Sequence, residues 1–438
     1  SETYIDSVYI DFGTDGYHND TIYNDPVQLD KKFYDQKLVI DHFTNELETK
    51  VKAVGVDYAL NNNDDTWEVT VWNTHAMNAL QGIMYLTDEN LAEAAHYFED
   101  IIYFQSQNNR YQLDATFSMD NWKNIFSNID NREHILTLWF NKSNLQQNNF
   151  QDMFESTAPH KYMLKPTKQA VGYWESIWDN FLIDGNANQP WKAQTIIKGR
   201  PGDFYRGYHT SYVYMRNNEI IDDNSVQEML NLRSVGDNRS ANTIIAGADT
   251  LIWKYSIGKD LYSEDANFII YRAAGIHLWL AEVYTFWAYD KNGNGSISAY
   301  PKTALNIVND GSNYATSSSR KQKGVRGRVG FADEDDKIVL ANIVYERDPV
   351  TNEVTGYKDF SSDSYQLQLY LEDQIMNERA RELAFEGERF YDLMRVAKRR
   401  NDPSYLAKKV SAKFPPSERD RIYNLLMDEN NWYIHYFD

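Results

Sequence analysis

ERARELAFEGERFYDLMR, at residues 378–395, is the stretch of sequence that decides the fold of this chain. Its acidic and basic side chains recur three residues apart, a spacing that makes them neighbours on a helix surface. The four pairs are Glu378–Arg381, Arg379–Glu382, Glu386–Arg389 and Asp392–Arg395. Apolar residues are interleaved with these charges, so part of the charge must lie close to a core, where arginine needs fixed carboxylate partners. The stretch therefore predicts one helix that ion pairs hold against a core.

The same residues resemble the carboxy-terminal signature of the SusD/RagB-like family, whose members are nutrient-binding lipoproteins on the surface of Bacteroidota. That signature is approximately ER-x-x-EL-x-x-EG-x-R-x-x-DL-x-R, and every fixed position of it is present here. What it marks in the family is a structural helix. The resemblance therefore implies a fold without locating a binding site.

The composition excludes several classes of protein. A net charge of −20 argues against a nucleic-acid partner, because phosphate binding needs a basic surface. The chain has no cysteine, so disulfides, thiolate metal sites and cysteine nucleophiles are excluded. It also lacks a run of about 18 apolar residues, the length that a membrane-spanning helix needs. We therefore expect contact with a membrane only through a lipid anchor upstream of Ser1, as the resemblance implies.

The scaffold is predicted to be mainly α-helical and built from hairpins of the tetratricopeptide type. Apolar residues recur at spacings of three and four over 69–83 and again over 91–102, with the turn Thr87–Asn90 between the two runs. A similar pattern predicts a helix over 268–288 with a partner helix over 301–308. The family uses such hairpins as its scaffold, and its first helical repeats are expected to lie outside this chain.

The remaining segments predict minor β-structure and large irregular loop insertions within one domain, 1–438. Residues 133–140 predict a short strand, and Pro166 opens a helix that is predicted to run through Phe181. Residues 184–265 are rich in glycine, asparagine and aromatic residues, so we interpret them as a loop-rich variable region within that domain. Loops of such length are uncommon unless they carry function.

Ligand-binding residues are expected in the aromatic-rich stretch 173–214. Tyrosine and tryptophan offer an apolar face to the C–H side of a sugar ring and a polar tip to its hydroxyls. The candidate glycan-binding residues are Trp174, Trp191, Tyr205, Arg206, Tyr208 and Tyr212. Structural packing is the alternative for the aromatic residues, above all for Trp174, which lies on a predicted helix.

A second candidate site is the segment DKNGNGSI at 290–297, which has the first half of a calcium-binding loop. Asp290, Asn292 and Asn294 stand at the first three ligand positions, followed by the glycine that such a loop requires. The closing glutamate is absent, since Pro301 occupies its position. The alternative is a turn between two helices, for which asparagine and glycine are equally suited. Calcium is thus the one cofactor that the sequence suggests.

The sequence gives little support to catalysis. Its nine histidines form no metalloprotease motif, and no G-x-S-x-G motif marks a nucleophile. Adjacent acidic residues are unremarkable in a chain with 64 carboxylates. We therefore expect a binding protein, not an enzyme, and keep a glycoside hydrolase as a minor alternative.

The resemblance also implies a function. Family members lie at the outer membrane, capture oligosaccharides and pass them to a partner TonB-dependent transporter of the SusC type. Some relatives bind peptides instead, and a tetratricopeptide scaffold provides a natural peptide groove, so a peptide ligand is the alternative. Exposed aromatic side chains would favour a sugar, whereas a concave apolar groove would favour a peptide.

Overall fold

The computed structural model divides the chain into two compact units, Ser1–Val51 and Lys52–Asp438. It describes residues 7–13, 16–22, 36–53, 67–103, 110–113, 119–127, 131–154, 163–179, 182–183, 195–196, 200–257, 265–287, 300–311, 324–326, 328, 343–348, 351, 353–360 and 363–433. The first unit contains an antiparallel pair, β1 (Ser7–Gly13) and β2 (Gly16–Ile22), and helix α1 (Gln36–Thr49).

The second unit begins with the predicted helical hairpin. A short helix, α2 (Trp67–Thr70), precedes α3 (Thr74–Thr87) and α4 (Leu91–Ile102), which pack against each other. Asn73 and Asn90 cap the two long helices, because each side-chain oxygen accepts a hydrogen bond from a main-chain N–H in the first turn. The prediction of a hairpin with its turn at 87–90 is confirmed.

Small residues allow the two helices of this hairpin to approach closely. A Cβ atom at Gly82 would lie 2.4 Å from the ring of Phe98, a distance that real Cβ atoms do not show. Ala79, Ala94 and Ala95 are buried along with them. The contact therefore depends on the absence of side-chain volume at position 82.

A second hairpin is formed by α9 (Ala273–Trp287) and α10 (Tyr300–Asp310), as predicted. Its first helix also packs on α4, so the two hairpins share one apolar core. The prediction that this helix starts at Phe268 is wrong. Residues Phe268–Arg272 form strand β11, which pairs antiparallel with β3 (His134–Leu138), the strand that the sequence predicted.

The signature at 378–395 forms two helices, so the prediction of one continuous helix is wrong. Helix α11 (Ser364–Glu382) ends before Leu383, and α12 (Arg389–Arg400) begins six residues later. Between them Phe385 and Gly387 have left-handed backbones, with φ of 67° and 89°. A helix cannot continue through these conformations.

The described part of the predicted loop-rich region is largely regular, which corrects that prediction for residues 200–257. It contains a three-stranded sheet in the order β10-β8-β9 and two helices. The elements are β8 (Tyr212–Arg216), β9 (Glu219–Ile220), α7 (Asp223–Ser234), α8 (Asn238–Ile244) and β10 (Asp249–Ile252). Asn217 and Asn218, both with positive φ, make the tight turn between the first two strands. The sheet and helices enclose a core of their own.

The remaining elements are short or terminal. The helix predicted to open at Pro166 is α6 (Lys168–Glu175), which ends at Glu175 and not at Phe181. The others are α5 (Met119–Ser127), β4 (Trp178–Asp179), β5 (Leu182–Ile183), β6 (Thr195–Ile196), β7 (Arg200–Pro201), β12 (Ile343–Arg347), β13 (Val354–Asp359), α13 (Pro403–Ser411) and α14 (Pro416–Leu426). Short 3₁₀ turns lie at Lys142–Asn144, Gln151–Phe154 and Glu429–Trp432.

The architecture of the described residues is thus mainly α with minor β, which confirms the predicted fold class. Helices α13 and α14 pack as a third hairpin. Among the helices in the described part of the chain, none is both long enough and apolar enough to cross a membrane.

Candidate functional site

Three of the predicted binding residues lie in the protein core. Trp174, Tyr208 and Tyr212 each have an exposed fraction of 2% or less. The Trp174 and Tyr212 rings stack with centroids 5.6 Å apart, and the Tyr208 ring meets Tyr212 edge-on. We call these residues, together with Tyr214, the tyrosine cluster. They present no face to a ligand, so the packing alternative applies to them, and the interpretation as exposed binding residues is wrong.

The hydroxyl groups of the tyrosine cluster are also occupied within the protein. The hydroxyls of Tyr212 and Tyr214 donate to the same oxygen of Glu175, at 3.1 and 2.6 Å, and Arg233 Nη1 holds the other oxygen at 2.8 Å. The hydroxyl of Tyr208 donates to the main-chain oxygen of Ile221. The three tyrosine hydroxyls are therefore paired without a ligand, whereas the buried Trp174 Nε1 has no hydrogen-bond partner among the described residues.

The other three predicted residues differ in where the structure places them. Arg206 is fully buried and binds Asp203, so the interpretation of its guanidinium as a ligand contact is wrong. Tyr205 is half-buried and packs on Trp122 and its neighbours. Trp191 lies outside the described residues and stays a prediction.

Arg206 belongs to a set of buried ion pairs that we call the charge network. Its members are Glu133, Asp203, Glu378, Glu382, Glu386, Arg206, Lys254, Arg272, Arg326, Arg328 and Arg381. Two of the four predicted short-range pairs form, Glu378–Arg381 at 2.7 Å and Asp392–Arg395 at 2.8 Å. The signature thus contributes its charge mainly to long-range contacts.

The other two predicted pairs give way to long-range partners. Arg379 Nε binds Asp392 at 2.8 Å instead of Glu382. Glu386 binds Lys254 and Arg272, at 2.6 and 2.8 Å. The break between α11 and α12 separates Glu386 from Arg389, whereas Arg379 and Glu382 share helix α11 and Glu382 is bound by Arg206, Arg272 and Arg328 instead.

Glu382 lies at the centre of the charge network. It accepts hydrogen bonds from Arg206 Nη1 at 3.2 Å, from Arg272 Nη1 at 2.8 Å and from Arg328 Nη2 at 2.6 Å. Burial alone would raise the pKa of this carboxyl, but Arg328, Arg272 and Arg206 lower the pKa to about 2. Glu382 is therefore ionised at neutral pH, and its role is structural.

The charge network backs a pocket with a volume of about 280 Å³. Five aromatic rings line this pocket, and we call them and their surroundings the phenylalanine pocket. The lining residues are Phe126, Phe150, Tyr255, Asn267, Phe268, Ile269, Ile270, Phe385, Glu386 and Gly387. They come from α5, the residue before a 3₁₀ turn, the turn after β10, β11 with the residue before it, and the segment between α11 and α12.

The aromatic rings of the phenylalanine pocket meet at steep angles. Phe150 and Phe268 have centroids 4.5 Å apart and planes inclined by 57°, while Phe150 and Tyr255 are 4.8 Å apart at 78°. Such edge-to-face contacts are favourable for aromatic pairs. Because the planes cross, the rings form a concave corner and not a flat platform.

Polar groups for a ligand stand beside these rings. The Glu386 side chain is 10% exposed and supplies carboxylate oxygens. Asn267 Oδ1 accepts from the N–H of Phe140 at 2.9 Å, which leaves its Nδ2 without a partner among the described residues. Within the same residues, the N–H of Gly387 donates no hydrogen bond. The pocket therefore offers both donors and acceptors.

Two side chains hold the wall that contains Phe385, Glu386 and Gly387. Lys254 Nζ donates to Ala384 O at 2.9 Å and to Glu386 at 2.6 Å, and it lies 4.3 Å from the Phe126 ring centroid. Tyr255 donates its hydroxyl to Phe385 O at 2.6 Å. Burial lowers the pKa of Lys254 to about 8, although Glu386 opposes this shift. These bonds take carbonyls away from helical pairing and explain why α11 ends here.

One local signal in the sequence points to this pocket. Glycine after an acidic residue in the signature, at Gly387, is typical of a backbone that leaves the helix. The aromatic residues of the pocket are spread over 260 positions of the chain and follow no common motif, so their convergence is visible only in the fold.

No metal site is found in the part of the chain that the structure describes, where no three His, Asp or Glu side chains converge as metal ligands. The predicted calcium ligands Asp290, Asn292 and Asn294 lie outside that part. Their interpretation stays a prediction.

These features define the class: a protein of helical hairpins in which buried ion pairs brace a small aromatic pocket. No family model and no curated protein matches the chain. Solved structures do match it, among them a SusD superfamily protein from Bacteroides vulgatus with 19% identity, a TM-score of 0.45, and 81% of this chain and 56% of that chain covered.

Two further matches come from Bacteroides fragilis. One is a SusD-like protein with 16% identity and a TM-score of 0.43, over 83% of this chain and 60% of that one. The other is a SusD-like carbohydrate-binding protein with 15% identity and a TM-score of 0.44, over 84% and 59%. The chain thus spans less than two thirds of the length of each.

These structures are named for the family whose signature residues 378–395 resemble. With TM-scores below 0.5, however, they decide nothing further about fold or function. The resemblance continues to rest on the signature itself.

Proposed function

We propose that this protein binds glycans and that the phenylalanine pocket is the binding site. The observation that carries the proposal is that one concavity combines aromatic rings, a carboxylate and two N–H donors that have no partner among the described residues. A sugar ring has apolar C–H faces that pack on aromatic rings, and hydroxyls that both donate and accept hydrogen bonds. Phe150 and Phe268 supply the first requirement, and Asn267, Glu386 and Gly387 the second.

The role is binding and not hydrolysis. Glycoside hydrolases use a pair of carboxyl groups that flank the bond to be cleaved. Glu386 is the single carboxylate among the described residues that line the pocket, and Lys254 and Arg272 occupy its oxygens. A carboxylate held in two ion pairs is poorly suited to transfer protons.

The cellular setting in this proposal comes from the sequence signature. The resemblance to SusD/RagB-like proteins implies a lipid-anchored protein at the outer membrane that hands oligosaccharides to a TonB-dependent transporter. Binding of moderate affinity suits such a handover, because the captured fragment must leave again. Co-purification with a transporter encoded beside this protein tests the partner, and absence of any association would contradict it.

Affinity electrophoresis tests the glycan ligand. The purified chain is run on gels that contain soluble starch, β-glucan, xylan, galactan or mannan, beside the variants Phe150→Leu and Phe414→Leu. Both variants replace a phenylalanine ring with a smaller apolar side chain, but Phe414 is 38% exposed and lies outside the pocket. We expect one polysaccharide to retard the protein and the Phe150→Leu variant to lose that retardation.

Two other outcomes separate the site from the function. Loss of retardation in a Trp191→Ala variant alone would keep the glycan ligand and move the site to the stretch around Trp191. Absence of retardation on every gel would contradict the proposal.

A peptide ligand is the second candidate, and one observation favours it. Four of the five rings in the pocket are phenylalanines, which lack a polar tip, and the pocket is concave. Such a site also suits an apolar side chain of a peptide. Intrinsic tryptophan fluorescence, titrated with the tripeptides Gly-Phe-Gly and Gly-Ser-Gly, tests it. Saturable binding of the first peptide alone would favour the second candidate.

A further inference from the structure

We propose that the phenylalanine pocket recognises a chain end, taking in one terminal sugar unit instead of an internal stretch of a polysaccharide. This inference rests on the proposed glycan-binding function and specifies which part of the glycan is recognised. Three observations carry it: the crossed planes of the rings, the closed back of the pocket and its volume.

The crossed planes of the rings leave room for one sugar unit. A polysaccharide that binds along its length needs aromatic faces that follow one another in a row, as successive bases do on stacking platforms. Here Phe150 crosses Phe268 at 57° and Tyr255 at 78° within 5 Å. A second sugar in the same plane would meet the edge of a ring and not its face.

The back of the pocket is closed by buried charge. Lys254 Nζ and the Arg272 guanidinium lie 4.3 and 5.5 Å from the Phe126 ring centroid, and both side chains are 2% exposed or less. Arg272 continues into the charge network through Glu382. A glycan chain cannot pass through these groups, so the end of a chain enters and stops.

The volume of the phenylalanine pocket agrees with a ligand of one sugar unit. At about 280 Å³ the pocket lies just below the range of about 300–1,000 Å³ that is usual for small-molecule sites. Two of the lining residues are exposed, Ile270 (41%) and Gly387. They mark the mouth through which the rest of the glycan would leave. Further sugar units would therefore lie outside the phenylalanine pocket.

Isothermal titration calorimetry tests this inference with the oligosaccharides of one to six units from the polysaccharide that retards the protein. End recognition predicts that the Kd changes by less than about threefold between two and six units. It also predicts one protein bound per polysaccharide chain, whatever the chain length. A Kd that falls by about tenfold or more over this series, or several proteins per chain, would overturn the inference.

Oligosaccharides with altered ends give a second readout with the same protein. Methyl glycosides block one end, and oligosaccharides reduced to alditols lack the ring at that same end. Methylation of the hydroxyls of the non-reducing terminal unit changes the opposite end. We expect one of these changes to raise the Kd by about tenfold or more. Unchanged binding after every change would show internal recognition and contradict the inference.

Variants connect the result to the pocket. Phe150→Leu should raise the Kd of the two-unit and six-unit ligands by the same factor, about fivefold, whereas Phe414→Leu should change neither. Ile270→Trp narrows the mouth without altering the core and should weaken both ligands, which covers the case in which Phe150→Leu does not fold.

The outcomes distinguish this inference from the function on which it rests. Binding that grows with chain length would leave glycan binding intact and refute end recognition. Absence of heat with every oligosaccharide, together with unretarded migration on every gel, would refute both.

Discussion

The tyrosine cluster and the phenylalanine pocket share Phe385 as a neighbour, yet only one of them is open to a ligand. Trp174 approaches the Phe385 ring to 5.9 Å from within the core, and Phe385 also lines the pocket. The tyrosine cluster has the residue types that sugar-binding sites favour. The pocket, built mostly from phenylalanine, has the accessible concave surface.

The difference lies in where the polar partners are. In the tyrosine cluster, Glu175 and Ile221 O accept hydrogen bonds from the tyrosine hydroxyls, so these groups can be buried. In the phenylalanine pocket, four of the five rings carry no hydroxyl, and the fifth, Tyr255, donates its hydroxyl to Phe385 O. Beside them stand two N–H donors, of Asn267 and Gly387, that have no partner among the described residues. Residue composition alone therefore does not separate a packed aromatic cluster from a binding site.

The largest expected effect comes from breaking the charge network behind the pocket. Glu382→Ala removes the buried carboxylate that Arg206, Arg272 and Arg328 share and leaves each of them with fewer partners, which costs about 3–5 kcal/mol of unfolding free energy. Urea denaturation followed by circular dichroism measures this loss.

The matched control is Glu418→Ala, which removes an exposed carboxylate from a pair with Arg421. Exposed pairs contribute about 0.2–1 kcal/mol. Equal losses for the two variants would show that the charge network contributes no more than a surface pair.

Acid should act on Glu382 of the charge network and on Glu282, which pairs with Arg395 and Arg399 outside it. Glu282 and Glu382 have pKa values lowered to about 2, since arginines outweigh the effect of burial. Their stabilisation is complete above the unfolded pKa and is lost as the pH falls through the folded pKa. We expect the unfolding free energy to decrease between about pH 5 and pH 2, by on the order of 3 kcal/mol per group. Urea midpoints at pH 6, 4 and 3 measure it, and a constant midpoint would contradict the assignment.

Alkali should act on the tyrosine cluster instead. Burial and then Glu175 raise the pKa of Tyr214, so the folded state keeps the proton that the unfolded state releases. The resulting stabilisation is present below the unfolded pKa and is lost as the pH rises toward the folded pKa. Thermal unfolding between pH 9 and pH 11 should show a steeper loss for the natural chain than for Tyr214→Phe. Parallel curves would place the alkaline sensitivity elsewhere.

The segment between α11 and α12 allows a smaller test of backbone strain. Gly387→Ala places a Cβ on a residue with φ of 89°, which we expect to cost about 1 kcal/mol. Gly275→Ala, on helix α9 with open space at its Cβ, should instead stabilise the protein by about 0.5–1 kcal/mol. Thermal midpoints compare the two, and a gain in both variants would show that the segment is not strained.

The sequence predicts the scaffold better than the site. Asn73 and Asn90 directly precede the helices that they cap and bond to N–H groups of the first turn. The hairpins could therefore be predicted from local patterns. The break at Leu383 depends on Lys254 and Tyr255, which lie about 130 positions earlier in the chain, and no local pattern contains that contact. The burial of Trp174, Arg206, Tyr208 and Tyr212 could not be predicted for the same reason, because burial depends on long-range packing.

The most direct test of the central claim compares Phe150→Leu with Tyr212→Phe for both affinity and stability. The calorimetric Kd is measured with the best oligosaccharide, and the unfolding free energy with urea. We predict that Phe150→Leu raises the Kd about fivefold, whereas Tyr212→Phe leaves the Kd unchanged and lowers the stability by about 1 kcal/mol. A weaker affinity in Tyr212→Phe, with Phe150→Leu unaffected, would return the site to the tyrosine cluster and contradict this account.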